Sequence, residues 1–502
     1  MTMRRRDMLL GASGLCCVSA TGYARSKSWY DTAAKPDEQL TTVDAVERAL
    51  DRIAARDSVL QSIAWLNPNA MEEAATVDRM MRADAAGPLA GMTILAKSTF
   101  DVKGAATDGS NESWAREFTS PALDDAVTVS RVKAAGAVLL GKGAADDFGW
   151  GGDGTASATG QVWNPRYPDR ERFAGGSSGG GAAAVAAGFC DAAFGTDDGG
   201  SNRIPAHYCG VLGVKTTFGF VPRTGVIPSW PWIDCHGPIA KNAATAARVL
   251  KEMVGPDPID GHSRRSETSS EPMLAPPDLT NVRLGLVPSH RQAGALTTRQ
   301  AEAFENGVAL LKRSGAEIIP IDPPVTMANM SERLKAPGAT PFDLAACANA
   351  LVRYLDQRPE GAEELLPALL PAYQKYYSYL PAKPEELLAM SGTKYEESEK
   401  GLAYANQRDV VVSELGDFLA ERAIDAMIWP TLGHEALKAD EKWPDGSTPL
   451  SYANRLGLPE VSAPAFESHD GIPSGNISFT GLPFTDFRLL GLVHAFEKVR
   501  SL

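Results

Sequence analysis

The sequence predicts an α/β fold, a sheet with helices on its faces, and three observations carry that prediction. Short apolar strands alternate with amphipathic helical stretches along the chain. Clusters of Gly and Ser sit between apolar runs rather than in polar linkers, so they read as tight turns between packed elements. No run of about 18 or more apolar residues occurs, so no membrane-spanning helix is expected.

In chain order, Thr41 or Thr42 caps a helix over Val43 to Arg56, with Val46, Leu50 and Ile53 at helical spacing. A second helix covers Ala70 to Ala86. Gly91 to Ala96 is a short apolar strand that ends at Lys97. A helix over Ala126 to Ala135 is closed by Gly136, and Ala137 to Leu140 follows as a strand. Residues 256–280, rich in Pro, Ser and charge, read as a surface excursion. Strand-like pieces return at Val282–Val287, Ile318–Ile321 and Ala426–Trp429, with helices over Thr298–Ser314 and Asp409–Arg422 between them.

The 502-residue chain has a net charge of −13, which argues against nucleic acid as a partner. Its start has the three parts of an export signal: Arg4 to Arg6, a mildly apolar Met8 to Ala20, and Gly22 and Ala24 spaced for cleavage. The paired arginines suggest the twin-arginine type, with residues 1–24 as signal, residues 25–502 as mature protein, and a periplasmic or otherwise exported location. Three Arg and one Asp in that segment sum to +2, so its removal leaves −15. Cys16 and Cys17 lie there too; Cys190, Cys209, Cys235 and Cys347 are dispersed, without CxxC spacing. Neither a disulfide scaffold nor a zinc site is expected from them, and they read as small buried hydrophobes.

The segment Gly175 to Gly225 carries the chemistry. It opens GGSSGGGAAAVAAG and continues FGTDDGGSNRIPAHYCGVLGVKTT over Phe194–Thr217. Upstream stand GMTILAKSTFDVKG (Gly91–Gly104) and DDAVTVSRVKAAGAVLLGKGAADDF (Asp124–Phe148). Downstream stand WIDCHGPIAKNAATAARVL (Trp232–Leu250) and GIPSGNISFTGLPFTDFRLLGLVHAFE (Gly471–Glu497). In this order the motifs resemble the amidase signature family, over roughly 39–255 and 420–498. The resemblance implies a single large α/β/α domain around a central mixed, mostly parallel sheet of ten or more strands. Residues 260–420 would then be a variable, largely helical region that shapes the substrate pocket.

The resemblance also implies a mechanism. A serine hydroxyl is a poor nucleophile until a base takes its proton. Here Ser201 is the expected nucleophile, Ser177 the proton bridge, preceded by a cis peptide bond from Gly176, and Lys97 the base. A free lysine titrates near ~10.4, so burial must lower Lys97 by about 3 units. The backbone amides of Asp198, Gly199, Gly200 and Ser201 are expected to hold the oxyanion as an anion-binding nest. Asp197 and Arg203 are expected to brace that loop as an ion pair, and Ser178 to hydrogen-bond near Ser177. The implied reaction hydrolyses a carboxamide to carboxylate and ammonia or amine. It needs a small-molecule amide and neither metal nor organic cofactor. Four positions depart from the family pattern: Asp198, where Thr, Ile or a small residue is usual, Asn202, Ser98 and Gly143.

Other readings fit the chain less well. Gly175–Gly179 satisfies G-x-S-x-G, but the polar NPRYPDRERFA before it is no strand, which disfavours an α/β-hydrolase using His434, His469 or His494. No Gly-Lys-Ser/Thr follows the glycines, which excludes a P-loop. A glutamine amidotransferase subunit, a relative within the same family, is disfavoured by the export-like start and acidic charge. An esterase, or a non-catalytic binding protein disabled at Asp198, remains an alternative. Tyr373, Tyr376, Tyr377, Tyr379, Trp150, Trp230 and Trp232 are candidates for the acyl pocket, with helix packing the plainer reading of the tyrosines.

Overall fold

A computed structural model describes residues 41–167, 171–263, 278–291, 296–444, 449–465, 472–473 and 475–500. The segment read as an export signal, and His469, lie outside these residues. The strands are β1 (Ile63–Leu66), β2 (Thr93–Lys97), β3 (Val138–Gly143), β4 (Thr155–Ala156), β5 (Gly160–Gln161), β6 (Ala192–Asp197), β7 (Leu212–Lys215), β8 (Cys235–Ala240), β9 (Arg283–Leu286), β10 (Glu317–Pro320), β11 (Ala426–Pro430), β12 (Glu460–Pro464) and β13 (Asn476–Thr480). β4 and β5 make a small hairpin. The others form one 11-stranded sheet in the order β1-β3-β2-β6-β8-β7-β12-β13-β11-β9-β10.

The sheet is mixed, and its parallel share is smaller than the resemblance implied. Parallel pairing is confined to β3–β2–β6 and to β11–β9–β10. These pairs flank strand–helix–strand crossovers such as β2–(Val127–Ala134)–β3 and β9–(Thr298–Arg313)–β10. The centre, β6-β8-β7-β12-β13-β11, is antiparallel throughout, as is β1 on β3.

Side-chain alternation along the strands divides the core into two layers. Ile94 and Ala96 of β2, Leu139 of β3 and Phe194 of β6 join one cluster, with residues of the helices Val127–Ala134, Ala243–Met253, Thr298–Arg313 and Asp486–Arg500. Leu95, Val138, Leu140 and Ala193 face the other way, onto the helices Thr42–Leu60, Ala70–Arg82 and Gly179–Ala187. The first of these helices starts with a capping box. Thr41 Oγ1 accepts the Asp44 amide at 3.1 Å, and the Asp44 carboxylate accepts the Thr41 amide at 3.0 Å. Cys190, Cys209, Cys235 and Cys347 are buried free thiols, the packing role expected of them. Among the described residues no helix is long and apolar enough to cross a membrane, and no cluster of His, Cys, Asp or Glu has metal-site geometry.

The stretch 260–420 does two things. It adds β9 and β10 to one edge of the sheet, and it supplies the helices Leu344–Leu355, Gly361–Gln374, Pro384–Met390 and Glu399–Glu421. Tyr373, in the second of these, and Tyr377, just past it, stack at 4.2 Å and sit in a core with Trp114 and Phe148. Packing therefore accounts for those two rings, the plainer reading of them.

Candidate active site

β2 and β6 run parallel and end side by side, β2 on Lys97 and β6 on Asp197. Ligands of open α/β sheets gather at such carboxyl ends. The loop that leads into Gly179–Ala187 brings Ser177 to the same place, through a cis peptide bond between Gly176 and Ser177. The loop 198–202 brings Ser201, before the helix Arg203–Cys209 that Gly210 closes.

Lys97 is 2% exposed. Its Nζ lies 2.7 Å from Ser177 Oγ and 2.7 Å from Thr196 Oγ1. Burial pushes its pKa down to about 8, against the opposing pull of Asp198, Asp146, Asp234 and Asp197. Burial alone does not make a base useful. Lys142 is as buried and is likewise lowered to about 8, yet its Nζ donates to the Ala106 carbonyl and Thr107 Oγ1. Of the two, Lys97 alone abuts a serine of the Gly/Ser motif.

The two serine loops are sewn together by backbone. The Ser178 amide donates to the Ser201 carbonyl at 3.0 Å, and Ser178 Oγ donates to the Thr196 carbonyl at 3.3 Å. Residue 195 must be glycine for this approach, because a Cβ there would stand 2.3 Å from Ser178 Oγ. Gly143 has a similar reason: its Cβ would come 2.9 Å from the Gly181 amide, so the threonine usual at that position has no room. Asn202 is fully buried and spans two strands, donating to the carbonyls of Val214 (3.0 Å) and Gly237 (3.1 Å). Ser98 accepts the Ser110 hydroxyl at 2.7 Å. Three of the four departures are thus local packing solutions; Asp198 is not.

Asp197 and Arg203 form a fully buried bidentate pair, at 2.8 Å and 3.0 Å. Arg203 also pairs with Glu460 at 3.0 Å and donates to the Leu450 carbonyl and Asn454 Oδ1. Burial alone would raise the Asp197 carboxyl, but the guanidinium and its hydrogen bonds hold it at about 2. The carboxylate then caps the loop: Oδ1 accepts the Gly200 amide at 2.8 Å and Oδ2 the Asn202 amide at 3.1 Å. The Gly200 amide is therefore engaged by Asp197, which needs donors in its buried seat. Asp198, Gly199 and Ser201 remain as candidate oxyanion donors.

Removing one partner of a buried pair leaves the other charge stranded, at a cost of about 3–5 kcal/mol. Arg203→Met is accordingly expected to lower the unfolding free energy by that amount, read by denaturant titration. The folded pKa of Asp197 is depressed, so its contribution is present above the unfolded carboxylate range near ~4. It is lost as pH falls toward about 2.

The family model described as Amidase matches residues 44–490. The chain belongs to the amidase family. It is 32% identical to a glutamyl-tRNA(Gln) amidotransferase subunit of Thiobacillus denitrificans over 482 residues, covering 92% of this chain and 94% of that one. The corresponding subunit of Symbiobacterium thermophilum is also 32% identical, over 475 residues, covering 92% of this chain and 94% of its own. Among solved structures, peptide amidase from Stenotrophomonas maltophilia superposes with a TM-score of 0.74 at 27% identity, covering 92% of this chain and 94% of that chain. An amidase family protein from Bacillus anthracis shares the fold, with a TM-score of 0.72 at 22% identity, covering 93% of this chain and 89% of that one.

Within this amidase-family site, three residues escaped the sequence reading. Thr196 abuts Lys97 and stands one residue before Asp197 in the motif, where its identity was visible but its direction was not. Asp146 is 3% exposed; burial, partly offset by Lys97, pushes it up to about 7. Asp234, 4% exposed, comes from the segment before β8. Neither acid has a spacing to Lys97 that a linear pattern could reveal. His434 Nδ1 lies 3.0 Å from the Glu435 carbonyl and 3.4 Å from Tyr208 Oη, its ring packs on Trp443, and His494 lies 3.8 Å from Glu497. The basic nitrogen on Ser177 is that of Lys97.

Proposed function

We propose that the chain is an exported amidase that hydrolyses a carboxamide C–N bond to carboxylate and ammonia or amine through a Ser201 acyl-enzyme. The observation that carries this reading is the buried Lys97 Nζ at 2.7 Å from Ser177 Oγ, beside the loop of Ser201. Ser201 Oγ attacks the carbonyl carbon as its proton passes to Ser177 and the Ser177 proton to Lys97. The oxyanion forms against the amides of Asp198, Gly199 and Ser201, each such donor being worth ~2.7–4 kcal/mol. Lys97, now an ammonium, returns a proton through Ser177 to the leaving nitrogen. Water then cleaves the ester by the same relay run again, with no cofactor required.

The export half of the proposal rests on residues 1–24, with their arginines, apolar stretch and small residues. The 32% identity to the amidotransferase of Thiobacillus denitrificans favours a second reading, a cytoplasmic amidotransferase component that works with partners. The net charge of −13 and the N-terminal pattern weigh against it.

Fluorophosphonate labelling with peptide mapping tests the mechanism. A single adduct on Ser201 is expected. A well-folded protein that takes no label supports a binding protein instead, and an adduct on another serine removes Ser201 from its role. Fractionation of cells expressing the full chain tests export: a cytoplasmic, full-length product would move the balance to the amidotransferase reading.

A further inference from the structure

Asp198 is the one departure from the family pattern that packing does not explain, and its surroundings are informative. It stands at the start of the loop whose amides face the reaction, where burial and the neighbouring Asp234 push its carboxyl well above the usual carboxylate range, against the pull of Lys97, so that it ionises readily only with a cation beside it. Ser229 lies beside it and favours its ionised form, and Tyr377 Oη donates to Ser229 Oγ at 3.2 Å. Asp198 Oδ1 and Asp234 Oδ1 are both buried atoms without a hydrogen-bond partner. Asp234 Oδ2 lies 3.4 Å from His236 Nε2, which leaves Oδ1 as its unmatched side.

In the reacting state this pair lacks a cation that would favour an ionised Asp198. Lys97 must be neutral to act as a base, so it then offers the carboxylates no counter-charge. Arg223, a cation within the field of Asp234, is committed to Asp260 through Nε (3.1 Å) and Nη2 (3.0 Å). Aromatic rings lie within the field of Asp198, those of Tyr377 and Tyr379. Trp150 packs on Tyr377 at 5.0 Å, and Trp230 stacks on Tyr379 at 4.5 Å. Trp150 and Phe342, which packs on Trp230 at 4.6 Å, are each 42% exposed and mark an open rim. Carboxyl groups that each keep one unmatched oxygen next to aromatic faces suit a compact cation.

We propose that this site takes amides whose acyl part carries an ammonium a few bonds from the carbonyl, with Asp198 and Asp234 receiving the ammonium beneath the Trp150–Tyr377 and Trp230–Tyr379 rings. The proposal rests on the amidase reading for the position of the carbonyl. The cation occupies the neighbourhood that Lys97 vacates as a charge. It therefore also favours the neutral amine on which the relay depends. The side chains of Asp198 and Asp234 are specificity groups here, while Ser201, Ser177 and Lys97 do the chemistry and the loop amides hold the oxyanion.

The test uses 4-aminobutanamide and pentanamide, in which a methyl replaces the ammonium. At about pH 9 an alkylammonium that titrates near ~10.4 is charged while Lys97 is largely neutral. Binding to Ser201→Ala is measured by calorimetry, and turnover by wild type is measured separately. The cationic amide is expected to bind at least about tenfold more tightly, which is ~1.4 kcal/mol. In Ser201→Ala/Asp198→Asn that ratio is expected to fall to near one. Asp198→Thr serves in the same role if the Asn variant does not fold. Equal binding of the two amides, or a preference that survives the loss of Asp198, overturns the proposal. Failure of the amidase reading shows up elsewhere, as wild type that neither turns over an amide nor takes a fluorophosphonate.

Discussion

Ser201→Ala is expected to abolish turnover, lowering kcat by about a millionfold, the scale seen when a serine hydrolase loses its nucleophile. The fold should be untouched. What Ser201 contributes structurally is its carbonyl, which accepts the Ser178 amide, and alanine keeps that carbonyl. The variant is therefore expected to unfold at the wild-type temperature while giving no burst of amine and no fluorophosphonate adduct. Residual turnover above about one part in a thousand, or label moved to Ser177, would show that Ser201 is not the group that attacks.

The second large effect belongs to Lys97. Lys97→Ala removes the amine on Ser177 and is expected to lower kcat/KM by ~10²–10⁴, the range that a positioned base supplies. The pH dependence gives the sign. Only the unprotonated amine accepts a proton, and burial brings Lys97 to about 8. Activity should thus rise with pH, with an inflection near 8, and level off above it. Asp198, Asp146, Asp234 and Asp197 all favour the ammonium, Asp198 foremost among them. Asp198→Asn should therefore move the inflection to lower pH. In Lys97→Ala the rise should vanish. A wild-type profile flat from about pH 5 to 9 would exclude a lysine base.

Much of this was legible in the chain because it is local. The capping box at Thr41 and Asp44, the strand that ends on Lys97, and the Gly/Ser spacing between Ser177 and Ser201 all lie within short windows. What was not legible depends on partners far apart in sequence. The helix Glu399–Glu421 begins ten residues before the expected Asp409, where Ser398 caps it by accepting the Gly401 amide and where Trp232 packs on it. Nothing in EKGLAYANQR shows that contact. The antiparallel centre of the sheet depends on β12 and β13 entering between β7 and β11, an order of insertion that no periodicity encodes. At the site, the Asn454 side chain that donates to Asp197 and the acid whose field reaches Asp198 follow from the same long-range packing.

That insertion has a consequence for the life of the chain. The strands β1 to β3 with β6 to β8, and the strands β9 to β11, meet in the sheet only through β12 and β13, which are made last. Arg203, which holds the nucleophile loop, takes its outer partners from Leu450, Asn454 and Glu460, and Asn454 Nδ2 donates to the Asp197 carbonyl at 2.6 Å. A nascent chain on the ribosome has Ser201 long before it has the groups that seat it. Contacts of such sequence separation form slowly and late. Synthesis must reach its final tenth before a competent nucleophile exists. A chain cut short near residue 440 is accordingly expected to take no fluorophosphonate on Ser201, which labelling of the truncated and full-length chains would check.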